Sequence, residues 1–180
     1  MKIDILTSLL PAGRKRGVVL TGGAAFALLG GNKLAACMLL ARGVANLEQA
    51  WVADHPHWDG TWSDRLAHAL AAYERSHTDP INRRMHRIGL PMIVGGTVGL
   101  LAFRTLGPLW LISAGSFVAG CTLNAVGHSA YEGSPLAFAT DPMAFVIGPI
   151  WDWQERRAAA AAAETTPHID FPHGAEPVMA

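Results

Sequence analysis

Two long stretches of this chain carry no charged side chain, and a single residue parts them. Ile88 to Phe103 is 16 residues, Arg104 interrupts, and Thr105 to Gly127 is 23 more. As α-helices they would run about 24 Å and about 34 Å. A bilayer's hydrocarbon core is about 30 Å thick, so the second stretch spans it, and the first does once it extends past its ends. With Arg104 and its small neighbours alone between them, the arms turn back on each other. The sequence therefore predicts an all-α protein, a small helical membrane protein with a central transmembrane helical hairpin. Gly95 and Gly99 in one arm, and Ser116 and Gly120 in the other, have the small-residue spacing that lets helices approach closely in a bilayer. A buried hairpin in a soluble protein is the competing reading.

Composition agrees with the membrane reading. The 180 residues are 51% hydrophobic and 16% charged, with 14 basic and 14 acidic side chains. A disordered chain would be less apolar. A nucleic-acid binder would carry a basic excess, so no nucleic-acid partner is expected. Two cysteines, Cys37 and Cys121, are too few for a disulfide scaffold. The basic residues are clumped at Arg14–Arg16, at Arg83, Arg84 and Arg87, and at Arg156–Arg157. Positive charge flanks cytoplasmic ends. The hairpin thus brings the second and third clumps together on the cytoplasmic side, with Arg104 the only basic residue at the far turn. The Arg-over-Lys excess and the many alanines fit a bacterial inner membrane.

Three regions follow. Residues 1–61 hold an apolar helical region, membrane-inserted or interfacial and interrupted at Lys33, and then the Trp-rich loop WVADHPHWDGTW. His55 and His57 alternate around Pro56 in that loop, where surface packing outweighs a metal role. Residues 62–157 form the core. Thr61 caps a helix, with Asp64 completing a capping box, and Leu66, Ala69, Leu70, Tyr73 and His77 make its apolar stripe, with Arg65 off it. Asp79 caps the next helix and Pro80 starts it, with Asn82, His86, Leu90 and Ile93 on one face and a kink expected at Pro91. Residues 134–153 contain Pro135, Pro142, Gly148 and Pro149, which breaks them into re-entrant or interfacial pieces. Residues 158–180 are expected as a disordered tail, although the six alanines at 158–163 can extend a helix.

The hairpin has a chemical consequence. His86 precedes its first arm and His128 follows its second, so antiparallel arms bring both to one end. His77 lies one tight turn upstream. Asn124, His128 and Glu132 succeed one another at single-turn spacing. Three imidazoles, one carboxylate and two amides therefore converge in a very apolar chain. Ionisable groups at a membrane boundary usually face an interior site. Imidazole with carboxylate is a common ligand set for iron or zinc, and bundles often draw such ligands from separate helices. A cluster that only fixes helix packing is the alternative: a non-catalytic membrane protein. A different lipid-modifying metalloenzyme is the third reading, weakened by the lack of repeated H-x-x-H-H boxes. No G-x-S-x-G, Walker or H-E-x-x-H motif is present.

Tyr73 to Pro91 and Asn124 to Ala137 resemble the two blocks of the 2-hydroxy fatty acid dioxygenase family, small membrane proteins that include a yeast α-oxidation enzyme. The first block, H-x4-N-x3-H-x2-G-x-P, is met by His77, Asn82, His86, Gly89 and Pro91. The second, G-H-x3-E-x2-P, is met by Gly127, His128, Glu132 and Pro135. One departure follows Pro135, where the family often has Ala and this chain has Leu136. The resemblance implies an Fe(II)-dependent dioxygenase that uses O2 to shorten a 2-hydroxy fatty acid by one carbon. It further implies His77, His86 and His128 as iron ligands and Glu132 as a further ligand or a partner of one. Asn82 would orient an imidazole or hold the substrate. The acyl chain would lie in the apolar hairpin region.

Overall fold

The computed structural model describes residues 13–165. Among the described residues there is no strand, and seven α-helices follow one another: α1 (Arg14–Leu29), α2 (Lys33–Asp54), α3 (Trp62–Arg75), α4 (Pro80–Ala102), α5 (Pro108–Val126), α6 (Ala137–Thr140) and α7 (Ala144–Thr165). A six-residue π-helical turn, Gly127–Glu132, continues α5.

The helix starts follow local chemistry. Thr61 accepts from the Asp64 amide while the Asp64 carboxylate takes the Thr61 amide, giving α3 a complete capping box. Those bonds hold the Asp64 carboxyl below its usual pKa. The Asp79 carboxylate accepts from the amides of Ile81 and Asn82, and Pro80 opens α4. α4 runs on through Pro91 to Ala102.

α4 and α5 form the expected hairpin. Their contact is backbone to backbone. A β-carbon at Gly96 would lie 2.7 Å from the Phe117 nitrogen, and one at Gly120 would lie 2.6 Å from the Gly89 carbonyl. Ser116 donates to the Met92 carbonyl at 3.1 Å. Gly95 takes no part, since nothing lies within 4 Å of a β-carbon there. The seam therefore runs through Gly89, Gly96 and Gly99, not through Gly95. Both helices are long and apolar enough to cross a membrane, α5 with the π turn included, and only 28% of each apolar window is buried. The core helix of a soluble protein would be mostly covered. Here Ile88, Val94, Val98, Leu111, Ile112 and Val118 stand outward, as a lipid-facing surface requires.

The N-terminal apolar region is a second hairpin. α1 and α2 pack at Gly17 and Gly43, where a β-carbon on Gly43 would meet Thr21 at 2.6 Å. Their turn lies beside the turn of the first hairpin. There the Lys33 ammonium donates to the carbonyls of Leu101 and Phe103 at 2.7 and 2.8 Å, capping α4. This corrects the expectation that Arg104 stands alone at that end. Lys33 sits at a helix tip, where a cation complements the helix dipole. Leu28, Ala36, Leu100 and Trp110 bury a small core joining all four helices there.

At the opposite end α3 packs on α7 through Ala69, Tyr73, Met143, Ile147 and Trp151. Arg65, expected off the apolar stripe, is buried. It makes two 2.7 Å bonds to Asp141 and stacks 3.5 Å over Trp51, tying α2, α3 and the start of α7 together. α7 is continuous from Ala144, with Pro149 inside it. A proline near a helix start removes one hydrogen bond and leaves the rest. The segment expected to be broken is thus one short helix followed by a long one. The alanine run continues α7 to Thr165, so the segment expected to be disordered begins as helix; residues 166–180 lie outside the described residues. The two basic clumps do meet: Arg83 and Arg87 approach Glu155 at 3.8 and 4.0 Å, and Arg156 donates to the Arg87 carbonyl.

Candidate metal centre

His77 follows the end of α3, His86 stands in the second turn of α4, and His128 stands in the π turn after α5. The antiparallel hairpin brings the last two level, and the tight 76–79 turn folds the first onto them. Their exposures are 0, 2 and 3%, so the trio is sealed from solvent. Ring centroids are 4.6–4.9 Å apart, with the planes nearly perpendicular in each pair.

Hydrogen bonding sets which nitrogen faces inward. His77 Nδ1 lies 2.7 Å from the Tyr73 carbonyl and 3.0 Å from the Ser76 hydroxyl. His86 Nδ1 lies 3.1 Å from the Asn82 carbonyl. A carbonyl only accepts, so both Nδ1 atoms carry the hydrogen. His128 Nδ1 meets the Ser134 hydroxyl at 3.1 Å. The Nε2 atoms of His77 and His86 are thereby left as lone pairs that face each other. His77 Nε2 and His86 Nε2 are 3.3 Å apart, and one ligand atom from each of the three residues fits within 4.8 Å. Two facing lone pairs at that distance repel unless a proton or a cation lies between them. Protonation is opposed at His77, where burial first, and the Arg83 charge in addition, hold the pKa below its ordinary value against the Tyr73 carbonyl and Glu132. Nitrogens sharing one ion at bonds of about 2.1 Å lie about 3.0–3.4 Å apart, which the His77–His86 pair matches. Outer partners on every imidazole are the usual accompaniment of metal ligands. The three histidines can hold a metal ion.

Glu132 lies beside the trio. Its Oε1 accepts from the Asp79 amide at 2.9 Å and the Asn82 side chain at 3.2 Å, and its Oε2 from the Thr78 hydroxyl at 3.3 Å. One carboxylate thus fastens the π turn of His128 to the segment between His77 and His86. Asn82 is fully buried, and its Oδ1 packs against Gly127 without a polar partner. A side chain at Gly127 would overlap that oxygen. Asn124, expected to converge here, packs on Gly89 instead, with its Oδ1 unpartnered. His55 stacks on Trp51 at 4.1 Å and bonds its carbonyl; neither His55 nor His57 joins a cluster of three ligand-bearing residues among the described residues.

Some contributors were missed from sequence. Ser76 and Ser134 are ordinary loop residues in the chain, and only the fold shows them on imidazole nitrogens. Tyr73 stacks on His77 at 3.9 Å, and Trp151 lies 5.8 Å from the same ring. Burial, with Asp152 nearby, pushes the Tyr73 phenol pKa up.

Fold and cluster together define a class: a small all-helical protein with two helices of membrane-spanning length and a buried tri-histidine cluster able to take a metal. Residues 63–158, more than half of the chain, match the family described as 2-hydroxy-palmitic acid dioxygenase Mpo1-like. The chain belongs to that family. No curated protein and no solved structure matches it.

Proposed function

We propose that this protein is an Fe(II)-dependent dioxygenase of the membrane that shortens 2-hydroxy fatty acids by one carbon. The observation that carries the reading is the buried trio of His77, His86 and His128, with one ligand atom from each within 4.8 Å of the others, in a chain of a family named for this reaction. In this reading the three imidazoles hold the ion through Nε2. Iron, when bound, supplies activation of O2 and the redox steps of carbon–carbon cleavage. The reaction balances without another reductant: 2-hydroxy acid and O2 give the acid one carbon shorter, carbon dioxide and water.

The chain's own groups position and exclude. Backbone carbonyls of Tyr73 and Asn82 and the Ser134 hydroxyl fix the ring orientations. Glu132, through Asp79, Asn82 and Thr78, keeps the three ligand-bearing segments in register. We assign Glu132 this positioning role, since its oxygens are already taken by α4 and its approach. Asn82 Oδ1, a buried acceptor without a polar partner on the Glu132 side of the trio, is suited to the substrate's 2-hydroxyl. The Tyr73 and Trp151 rings keep water from the His77 side. The centre lies at the Arg83–Arg87 end of the hairpin, which the positive-inside rule assigns to the cytoplasmic face of a bacterial inner membrane. Metal analysis of the purified protein, with product mass from 2-hydroxypalmitic acid under Fe(II) and O2, tests the proposal. Protein that holds metal in its wild-type form and loses both metal and turnover as His128→Ala supports it. Wild-type protein without either overturns it.

A further inference from the structure

A groove of about 190 Å³ opens between α1 and α5. Ala25, Phe26 and Leu29 line it from α1, and Phe117, Cys121 and Thr122 from α5. On its α5 wall Phe117 and Cys121 are four residues apart, and His128 follows Cys121 by seven, a spacing that keeps all three on one side of the helix. The gap also continues on the α1 side. Gly22 stands one turn before Ala25 and Phe26 on the same face, and nothing lies within 4 Å of a β-carbon there. By contrast Gly17, on the side of α1 that faces α2, and Gly43 of α2 are packed to contact. From Phe117 to the π turn is about 15 Å of helix, the thickness of one leaflet of a core of about 30 Å. That is the length over which a membrane lipid's acyl chain lies.

We infer that this groove is the acyl-chain subsite of the enzyme, holding the substrate tail along α5 with the carboxyl end at the histidines. The inference rests on the dioxygenase reading for its head group. It also gives a role to α1, which lies outside the family match. α1 is one wall of the subsite and sets the chain length accepted. Gly22 and Cys121 are its specificity-determining positions.

Two measurements on the full chain test this. The first compares kcat/KM across saturated 2-hydroxy acids of increasing length. Gly22→Leu places a side chain in the open gap and favours the helix. It should lower the long-to-short ratio on the order of tenfold, and Cys121→Phe should do the same. Gly95→Leu, on open space elsewhere in the hairpin, should leave the ratio as in wild type. Unchanged ratios in both groove variants overturn the inference. The second measurement uses a 2-hydroxy acid with a photoreactive diazirine at its far end, in phosphatidylcholine vesicles. Adducts should map to residues 25–29 and 117–122 and be displaced by unlabelled 2-hydroxypalmitic acid, not by further phospholipid. Adducts elsewhere, or equal displacement by bulk lipid, overturn it. Groove labelling in a wild-type protein that turns over no hydroxy acid keeps the subsite and removes the dioxygenase reading.

Discussion

Ser134→Ala separates a working metal centre from a packing cluster without touching a ligand. Of the three imidazoles, His128 alone has its Nδ1 on a side chain only, the Ser134 hydroxyl at 3.1 Å. His86 leans on the Asn82 backbone, and His77 has both the Tyr73 carbonyl at 2.7 Å and the Ser76 hydroxyl. Removing Ser134 Oγ therefore frees the His128 ring to turn and leaves its buried Nδ1 unpaired. Loss of such an outer partner lowers metal affinity about 10–100-fold, or about 1.4–2.7 kcal/mol. Ser76→Ala leaves His77 its shorter bond and should stay within about threefold of wild type. Anaerobic titration with Co(II), read from its visible absorption in competition with a chelator, measures both. Equal affinity in Ser134→Ala and wild type, or an equal loss in Ser76→Ala, would refute the reasoning that orientation through Nδ1 builds the site.

Gly96→Val should destabilise the α4–α5 hairpin by about 1–3 kcal/mol, because its β-carbon meets the α5 backbone. Gly95→Ala should instead gain about 0.5–1 kcal/mol; thermal unfolding in detergent compares the two. Arg65→Leu should cost about 3–5 kcal/mol by stranding the Asp141 carboxylate, with much of the loss recovered in Arg65→Met/Asp141→Leu. An equally unstable double variant would show that the charge pair is not the cause. Chelation of the metal-loaded protein should lower its melting temperature, and Fe(II) should restore it; a melting curve insensitive to both speaks against a structural link between ion and fold.

Much of this was legible in the chain because helix caps and charge-free runs are local signals. Thr61–Asp64 and Asp79–Pro80 fix two helix starts through bonds within three residues, and Arg104 between two apolar runs forces the hairpin. Once the arms are antiparallel, His86 and His128 must meet, and the short 76–79 turn delivers His77. Non-local contacts were not legible. Arg65 reads as a surface residue until Asp141, far along the chain, and Trp51 are seen around it. Lys33 reads as a flaw in an apolar span until the turn of α1–α2 is laid against the α4 carbonyls. Gly95 and Gly96 are indistinguishable by composition, and only the rotation of α4 against α5 selects Gly96. Ser134 reaches His128 because Gly127–Glu132 winds as a π turn, which spacing does not announce. Pro149 suggested a break that a helix start tolerates.

The most direct test of the whole account is a single experiment on the purified wild-type protein: 2-hydroxypalmitic acid, Fe(II) and O2, with bound metal and product mass measured in the same sample. A bound ion that depends on His77, His86 and His128 is expected, with pentadecanoic acid and carbon dioxide as products. A protein that binds no ion and returns the hydroxy acid unchanged would contradict it, and the three histidines would then be a packing cluster.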